Sequence, residues 1–371
     1  MMGQAQAQII LDGRYIQDHF PGIGRYTYNL IDALARVAPD ETFGVLHNPA
    51  LANTRHPIAA LARHPNLALR ETDISTFSLA EQFQLPISNC QIFHSPYYLK
   101  PYFLRARSVV TLFDLIPLMV PRAVSASARL LFRALATLAA RTATRVIVPS
   151  FATRADLITR LGVPREKISV ISLAADARFA PQPAHVVAEM RTRYGLPDEY
   201  VLYLGSNKPH KNLATLIAAC EKCKIQNSKF DWQLVIAGAN ASRDAATRMP
   251  VTFLHDVADA DLPALYSGAR VFVFPSLYEG FGLPPLEAMA CGAPVICSHA
   301  SSLPEVVGDA ALLCDPRDAG QLADALARVL SDPALRDTLR GKALARAKQF
   351  SWERTARETW RVYRAAITPQ G

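Results

Sequence analysis

Short apolar runs alternate with helical patterns along this chain, and the alternation restricts the folds it can adopt. Six runs in the first half fit β-strands, at 8–12, 42–47, 91–94, 108–113, 145–149 and 168–172. Four more follow, at 200–204, 232–237, 271–274 and 294–297. Helical patterns separate them, at 24–37, 127–142, 213–224, 261–267, 285–290, 319–330 and 334–348. Apolar strands separated by helices are typical of parallel sheets covered on both faces, so the sequence predicts an α/β fold with doubly wound sheets.

The length of the chain predicts that this arrangement occurs twice. Its 371 residues exceed one ordinary domain, which has ~100–200 residues. The stretch 179–185 contains Pro181 and Pro183 between two patterned regions, which marks it as the predicted linker. We therefore predict an N-terminal domain at 1–183 and a C-terminal domain at 184–350.

The composition excludes several classes of protein. Hydrophobic residues make up 50% of the chain and charged residues 19%, which argues against disorder. The apolar stretch 130–140 is interrupted by Arg133, and residues 1–8 lack the pattern of a secretory signal. Six cysteines are too few for a disulfide framework, and the pair Cys220 and Cys223 has no second pair for zinc. We expect a reduced, cytoplasmic chain.

The positive charge is concentrated in the first half. Residues 1–183 hold 19 Lys and Arg against 12 Asp and Glu, whereas residues 184–371 hold 21 against 20. Aromatic and basic residues interleave at 97–107, and the helix 127–142 carries arginines beside leucines. This pattern predicts peripheral contact with an anionic membrane, and the alternative is a solvated basic face. Because no nucleic-acid motif is present, we expect no nucleic-acid partner.

Three loops that follow predicted strands contain the residues most suited to binding or catalysis. Ligands of doubly wound sheets bind at this end of the strands. Gly22 and Gly24 precede a helix, which fits either a phosphate loop or a tight turn. Lys208 and Lys211 flank the start of the next helix, where a diphosphate would fit, although surface lysines are the alternative.

The third loop is the most specific. Glu279 lies in the loop and Glu287 in the first turn of the predicted helix at 285–290, with two glycines and two prolines between them. Carboxylates accept hydrogen bonds, so they suit the hydroxyls of a sugar and a ribose better than phosphate. Since proline lacks an N–H group, the amides of 281–283 are the predicted anion donors. A hydrolase with paired carboxylates is the rival interpretation.

The run E-G-F-G-L-P-P-L-E at 279–287 resembles the E-x7-E motif of retaining glycosyltransferases of family 4, which have the GT-B fold. Similar runs are P-G-I-G-R-Y at 21–26, F-H-S-P-Y-Y at 93–98, V-P-S at 148–150, K-P-H-K-N-L at 208–213 and A-P-V-I at 293–296. The resemblance implies two Rossmann-like domains facing each other across a cleft. It assigns the acceptor to the N-terminal domain and the nucleotide-diphospho-sugar to the C-terminal one, with the helix at 351–371 packing back on the first domain.

The resemblance also implies roles for single residues. Glu279 would contact the donor sugar, Glu287 the ribose and Lys211 the diphosphate. The basic residue that usually follows Gly205 is missing, and Lys208 would supply that charge. The implied donor-binding residues are Gly22, Gly24, Ser206, Asn207, Lys208, Lys211, Glu279, Phe281, Gly282, Leu283 and Glu287.

One departure from the family concerns its usual His-Asp pair, which reads Phe113-Asp114 here. Asp114 is retained, so Glu279, Lys211 and Asp114 are the catalytic candidates. On the acceptor side we consider His94, Phe113 and Asp114, and the alternative for His94 is an ordinary residue at the end of a strand.

The function implied is hexosyl transfer with retention, mannose being favoured, from a GDP- or UDP-linked sugar to a glycan or lipid-linked hydroxyl. No cofactor is expected, and the absence of a His/Cys grouping predicts independence of metal. A nucleotide-sugar epimerase of the same architecture is the alternative.

Overall fold

The computed structural model describes residues 8–76, 78–87, 89–120, 123–226, 231–238 and 249–367. Its contacts divide the chain into two compact units. The first comprises the chain up to Leu118, Ser125–Leu173 and the residues from Ser351 onward. The second comprises Ala174–Phe350 together with Met119–Val124.

The boundary between the units differs from the predicted one at 183/184, because it lies between Leu173 and Ala174. Phe179 gives the physical reason. Its side chain is buried and packs against Tyr266, with 5.9 Å between the ring centroids, inside the second unit. The prolines after it lead into a helix that begins at Ala184. The predicted linker is therefore part of the second unit's core and helix start.

Within the described residues, the first unit contains a sheet of seven parallel strands in the order β3-β2-β1-β4-β5-β6-β7. The strands are β1 Ile9–Asp12, β2 Phe43–His47, β3 Leu67–Glu71, β4 Ile92–Ser95, β5 Arg107–Thr111, β6 Arg145–Val148 and β7 Ile168–Val170. The helices, numbered in chain order, are α1 Pro21–Val37, α2 Ile116–Met119, α3 Ala126–Thr142, α4 Phe151–Leu161 and α12 Trp352–Ile367. The last residue of α2, Met119, falls in the second unit.

The C-terminal helix α12 belongs to the first unit by its contacts. It packs on α1, where Tyr26 meets Trp352 with 6.2 Å between ring centroids. The Thr355 hydroxyl donates to the carbonyl of Ser172 at 2.8 Å. Buried residues recur along one face of α12, as expected for an amphipathic helix on a core.

The second unit has a sheet of six parallel strands in the order β10-β9-β8-β11-β12-β13 among its described residues. The strands are β8 Tyr200–Leu204, β9 Gln233–Ala237, β10 Val251–Leu254, β11 Val271–Phe274, β12 Val295–Ser298 and β13 Leu312–Cys314. The helices are α5 Ala184–Tyr194, α6 Leu213–Gln226, α7 Leu262–Ser267, α8 Leu283–Ala290, α9 Leu303–Val307, α10 Ala319–Ser331 and α11 Pro333–Ala347. Among all the helices described, none combines the length and the apolarity needed to cross a membrane.

In both sheets the strand order reverses once. The first sheet grows outward from β1 to β3 and resumes with β4 on the other side of β1; the second does the same at β8 and β11. Such a reversal opens a crevice at the carboxyl ends of the two central strands. The loops after β8 and β11, which carry the predicted donor residues, flank the crevice of the second unit.

Three strands lie outside the predicted set, and all three are at sheet edges. They are β3, β10 and β13. An edge strand has a neighbour on one side and more solvent contact, so it needs fewer apolar residues. The sequence L-A-L-R-E of β3 illustrates this, because three of its five residues are half-buried and one is exposed. Apolar runs therefore located the central strands and missed these edges.

Candidate functional site

An ion pair connects the two loops at the strand reversal of the second unit. The Lys211 Nζ lies 2.7 Å from the Glu279 Oε1. The side chains are 15% and 11% exposed, so each charge has lost most of its water and still reaches the surface. Lys211 follows β8 and Glu279 follows β11, which are neighbours in the sheet. The structure thus brings together two of the three predicted catalytic residues.

Two serines that the sequence analysis did not select hold the Glu279 loop. The backbone N–H of Glu279 donates to the Ser301 Oγ at 2.8 Å. The Ser302 hydroxyl is fully buried and lies 2.9 Å from the carbonyl oxygen of Glu279 and 2.8 Å from that of Phe281. Both serines precede α9, and serine before a helix is so common that their position in sequence carries no signal of this role.

The Lys211 loop is fixed by its neighbours Asn212 and His210. Asn212 has the left-handed φ of 59°, which asparagine tolerates, and its side-chain amide donates to the carbonyl oxygens of Pro275 and Pro316 at 3.0 and 2.6 Å. The carbonyl of His210 accepts from the N–H of Leu277 at 2.7 Å. Lys211 itself lies over the ring of Phe274, 4.9 Å from its centroid. Both loops are therefore tied to each other through backbone groups.

The start of α8 requires glycine at one position. Gly282 has φ of +114°, and a Cβ there would lie 2.7 Å from a methyl carbon of Leu303. The helix begins at Leu283, two residues before the predicted start, because the prolines are accommodated in its first turn. Phe281, Gly282 and Leu283 remain the predicted anion donors at this helix start.

Glu287 lies in the second turn of α8, not in the first as the sequence analysis expected. Its side chain is buried, and its Oε2 accepts a hydrogen bond from the Tyr266 hydroxyl at 3.2 Å. The two motif carboxylates thus occupy different environments, one beside a cation and one beside a phenol. Contact between Glu287 and a ribose remains a prediction.

The remaining predicted donor residues of the second unit lie in the loop after β8. Lys208 and Asn207 are exposed, whereas Ser206 is half-buried and its carbonyl accepts from the Tyr203 hydroxyl at 2.9 Å. Lys208 precedes the short 3-10 helix Pro209–Lys211. Both lysines thus lie at the carboxyl end of β8.

An acidic triplet with spacing suited to metal, Asp259-Ala260-Asp261, is engaged by arginines. Arg178 lies 3.1 Å from Asp259, and Arg193 lies 2.7 Å from Asp261. Asp261 also accepts from the Tyr194 hydroxyl at 2.8 Å. Among the residues described, no group of three or more His, Cys, Asp and Glu side chains is arranged to hold a metal ion.

In the first unit the two predicted glycines lie inside the first turn of α1, which begins at Pro21 and not at Gly24 as predicted. Gly22 is exposed, with nothing within 4 Å of where a Cβ would be. A Cβ on Gly24 would lie 3.3 Å from the carbonyl oxygen of Tyr15, so this glycine allows close packing. Close packing therefore accounts for a glycine at position 24, whereas no steric contact requires one at position 22.

His94, an acceptor-side candidate, is buried at the end of β4 and bonded through both ring nitrogens. The Nε2 lies 2.9 Å from the Thr111 Oγ1, which in turn lies 3.0 Å from the Tyr26 hydroxyl. The Nδ1 pairs with the hydroxyl of Tyr363 on α12. These contacts fit the alternative interpretation, an ordinary residue at a strand end, because the ring ties α12 to the sheet.

Phe113 and Asp114 follow β5 and are half-buried. The Phe113 ring packs edge-on against Tyr26 at 5.0 Å, and the Asp114 Oδ1 accepts from the N–H of Ile116 at 2.9 Å. Phe113 therefore continues an aromatic contact of the first unit, and Asp114 fixes the start of α2. Their predicted roles toward the acceptor remain predictions.

Comparison with known proteins identifies the family. Sequence models match residues 188–346, described as glycosyl transferases group 1, and residues 21–179, described as glycosyltransferase family 4. O-antigen chain mannosyltransferase B of Escherichia coli is 30% identical over 96% of this chain and 99% of that protein. The chain belongs to the family 4 glycosyltransferases. The resemblance noted in the E-x7-E run is thereby confirmed.

Solved structures confirm the fold of this glycosyltransferase. Sucrose-phosphate synthase from Thermosynechococcus elongatus has a TM-score of 0.73 at 24% identity, over 97% of this chain and 98% of that one. HepE of Anabaena, solved with UDP and glucose, has a TM-score of 0.72 at 20% identity, over 96% and 100%. The glycosyltransferase therefore has the GT-B fold.

Two buried histidines make the stability of the glycosyltransferase depend on pH. Burial lowers the pKa of His94 to about 3 and that of His210 to about 4, from an ordinary value of ~6.5. At a pH between the lowered pKa of the folded state and the ordinary pKa of the unfolded state, the unfolded chain binds protons that the folded chain does not. Falling pH therefore favours unfolding. Between the folded and the unfolded pKa, each histidine should lower the free energy of unfolding by about 1.4 kcal/mol for every pH unit that the pH falls.

We expect the melting temperature to fall as the pH is lowered from neutral toward 5, and to fall less in a His94→Gln/His210→Gln double variant. The control variant is His255→Gln, which makes the same substitution at an exposed histidine. An equal pH dependence in the double variant and the wild type would contradict the assignment.

Proposed function

We propose that this protein transfers a hexose, with mannose favoured, from a nucleotide-diphospho-sugar to a hydroxyl of a glycan or lipid-linked acceptor, with retention at the anomeric carbon. The observation that carries the proposal is the Lys211–Glu279 pair at the strand reversal of the second unit. It places a cation suited to a diphosphate beside a carboxylate suited to sugar hydroxyls.

In the proposed reaction the bond between the anomeric carbon and the phosphate oxygen breaks, and the acceptor oxygen bonds to the same carbon from the same face. The acceptor's proton passes to the departing phosphate. Negative charge then grows on the leaving diphosphate, where Lys211, Lys208 and the amides at the start of α8 would stabilise it. Lys211 has three N–H donors, so it can hold Glu279 and still donate to a phosphate oxygen.

The choice of sugar and nucleotide is supported by relatives. The Escherichia coli relative is named as an O-antigen chain mannosyltransferase, which favours mannose. HepE of Anabaena was solved with UDP and glucose, which supports a nucleoside diphosphate leaving group. We leave GDP and UDP as alternatives, to be separated by assaying both sugar nucleotides.

The first test removes each partner of the pair. Glu279→Gln and Lys211→Ala should each lower kcat/KM for transfer by roughly ten- to a hundredfold, the effect of losing one charge-assisted hydrogen bond. Steady-state transfer rates with GDP-mannose and UDP-sugars would be compared. A matched control pair exists in the same unit, because Lys342 lies 2.8 Å from Asp309 at the surface.

Lys342→Ala and Asp309→Asn delete a lysine–carboxylate pair of similar length and should leave transfer unchanged. Wild-type rates in folded Glu279→Gln and Lys211→Ala would contradict the proposal. The same assay separates transfer from epimerisation. Conversion of the donor into an epimeric sugar nucleotide, at the same rate with and without an acceptor, would favour epimerisation over transfer.

We also propose that transfer needs no metal ion, because Lys211 and Lys208 supply positive charge at the diphosphate site. Excess EDTA should therefore leave the transfer rate unchanged, measured on enzyme that has been dialysed against chelator beforehand. A loss of activity that a divalent cation restores would contradict this part of the proposal.

A membrane-facing surface on the first unit is the second part of the proposal. Phe103, Phe83 and Leu79 are 71%, 81% and 85% exposed. The side chain of Gln82 joins their two segments, since its Oε1 accepts from the N–H of Tyr102 at 2.7 Å. Exposed apolar side chains beside basic ones suit the headgroup region of a bilayer, which supports peripheral association with the inner face of a membrane.

One cation of this region is unsuited to that role. Lys100 is 1% exposed, and its Nζ donates to the carbonyl of Pro101 at 3.2 Å and to the Ser108 Oγ at 3.4 Å. Burial lowers its pKa to about 8. Arg105 is exposed and remains available to lipid. Arg107 is also exposed, and one nitrogen of its guanidinium donates to the carbonyl of Ile367.

We expect the protein to bind liposomes containing phosphatidylglycerol at low salt, and to dissociate as salt rises, because the attraction is screened. Arg105→Ser/Arg107→Ser should weaken co-sedimentation, since each basic residue near an anionic surface contributes ~1 kcal/mol. Lys222→Ser/Lys224→Ser in the second unit removes the same charge and serves as control. Failure of the wild type to bind at low salt would favour a soluble acceptor.

A further inference from the structure

A pocket of about 470 Å³ lies between α3 and α4 in the first unit, outside the residues predicted to bind donor or acceptor. Ala126, Arg129, Leu130 and Arg133 recur at helical spacing along one face of α3. The lining residues are Leu118, Ala126, Arg129, Leu130, Arg133, Thr159 and Arg160.

The lining is basic. Three arginines line the pocket, and among its described lining residues none is acidic. The sequences of α3 and α4 together contain five arginines and one acidic residue, Asp156, one turn before Arg160. Guanidinium groups bind phosphate oxygens in a fork geometry, so three arginines that line one pocket suit a phosphate or diphosphate.

The two helices that line the pocket also carry exposed apolar side chains, of which Leu130 is itself a lining residue. Leu130, Leu131 and Leu138 of α3 are 70%, 60% and 36% exposed, whereas Phe132, Ala136 and Ala139 form its buried face. Phe151, at the start of α4, is 57% exposed and carries the guanidinium of Arg154 at 4.7 Å from its ring centroid. Exposed leucines beside a cationic pocket are unfavourable in water unless an apolar group covers them.

We propose that this pocket binds the diphosphate of a lipid, with the apolar chain lying along the exposed leucines of α3. An inorganic anion would pair with the arginines and leave the leucines uncovered, whereas an ordinary membrane surface would cover the leucines without needing a pocket. A diphosphate on an apolar chain would contact the arginines and also cover the leucines. The inference rests on the proposed function in its last step alone, in which this lipid diphosphate belongs to the acceptor.

The test is a vesicle co-sedimentation assay in a Lys211→Ala background, which removes the contact proposed for the donor diphosphate. Neutral phosphatidylcholine vesicles carry a long-chain prenyl diphosphate, the corresponding prenyl alcohol, or phosphatidylglycerol at matched charge. The pocket variant is Arg129→Gln/Arg133→Gln/Arg160→Gln. The control variant, Arg165→Gln/Arg357→Gln/Arg361→Gln, removes the same charge from exposed positions of the same unit, away from the pocket helices and from the 97–107 segment.

We expect the pocket variant to bind prenyl diphosphate vesicles roughly tenfold or more weakly, the loss for at least one charge-assisted contact, and the control variant to retain that binding. Equal loss in both variants would mean that the vesicles bind the general positive charge of this unit and not the pocket, and would overturn the proposal. Equal binding of the prenyl alcohol, or stronger binding to phosphatidylglycerol, would also overturn it. Because no sugar nucleotide is present, the result is independent of donor turnover.

Discussion

The pairing of Lys211 with Glu279 is the constraint on which the rest of the second unit's site depends. Each charge has lost most of its water, and a charge in that position is stable when it is paired and hydrogen-bonded. The pair can form because β8 and β11 are adjacent in the sheet although 68 residues separate the two side chains. Ser301, Ser302 and Asn212 then hold the backbone on either side. The geometry of the candidate site is thereby fixed by contacts within the fold.

The first unit fills its own strand reversal in a different way. The guanidinium of Arg14, at the end of β1, lies 2.7 Å from Asp12 and 3.1 Å from Glu81, and all three side chains are buried. Arg14 also donates to the carbonyl of Ile74 at 3.2 Å. These charges serve to hold loops together. In the second unit the Lys211–Glu279 pair is less deeply buried, with side chains 15% and 11% exposed, so it still reaches solvent.

The basic residues of the first half of the chain occupy different environments, and not all of them are exposed. Lys100 is buried, and Arg14 forms buried ion pairs with Asp12 and Glu81. Arg129, Arg133 and Arg160 line a pocket. The net charge of this half therefore overstates the charge available at any one surface. What distinguishes the region is the combination of arginines with outward-facing leucines on α3, since either alone would be an ordinary surface feature.

The sequence by itself determined the class of fold, the central strands and the two residues of the ion pair. These are local signals: apolar runs mark strands covered on both faces, and the E-x7-E run and Lys211 lie in short, specific motifs. The tertiary structure decided the edge strands, the boundary at Leu173, and the burial of His94 and Lys100. It also assigned Ser301 and Ser302 to the Glu279 loop. Burial and hydrogen-bond partners depend on residues distant in the chain, so no local pattern contains them.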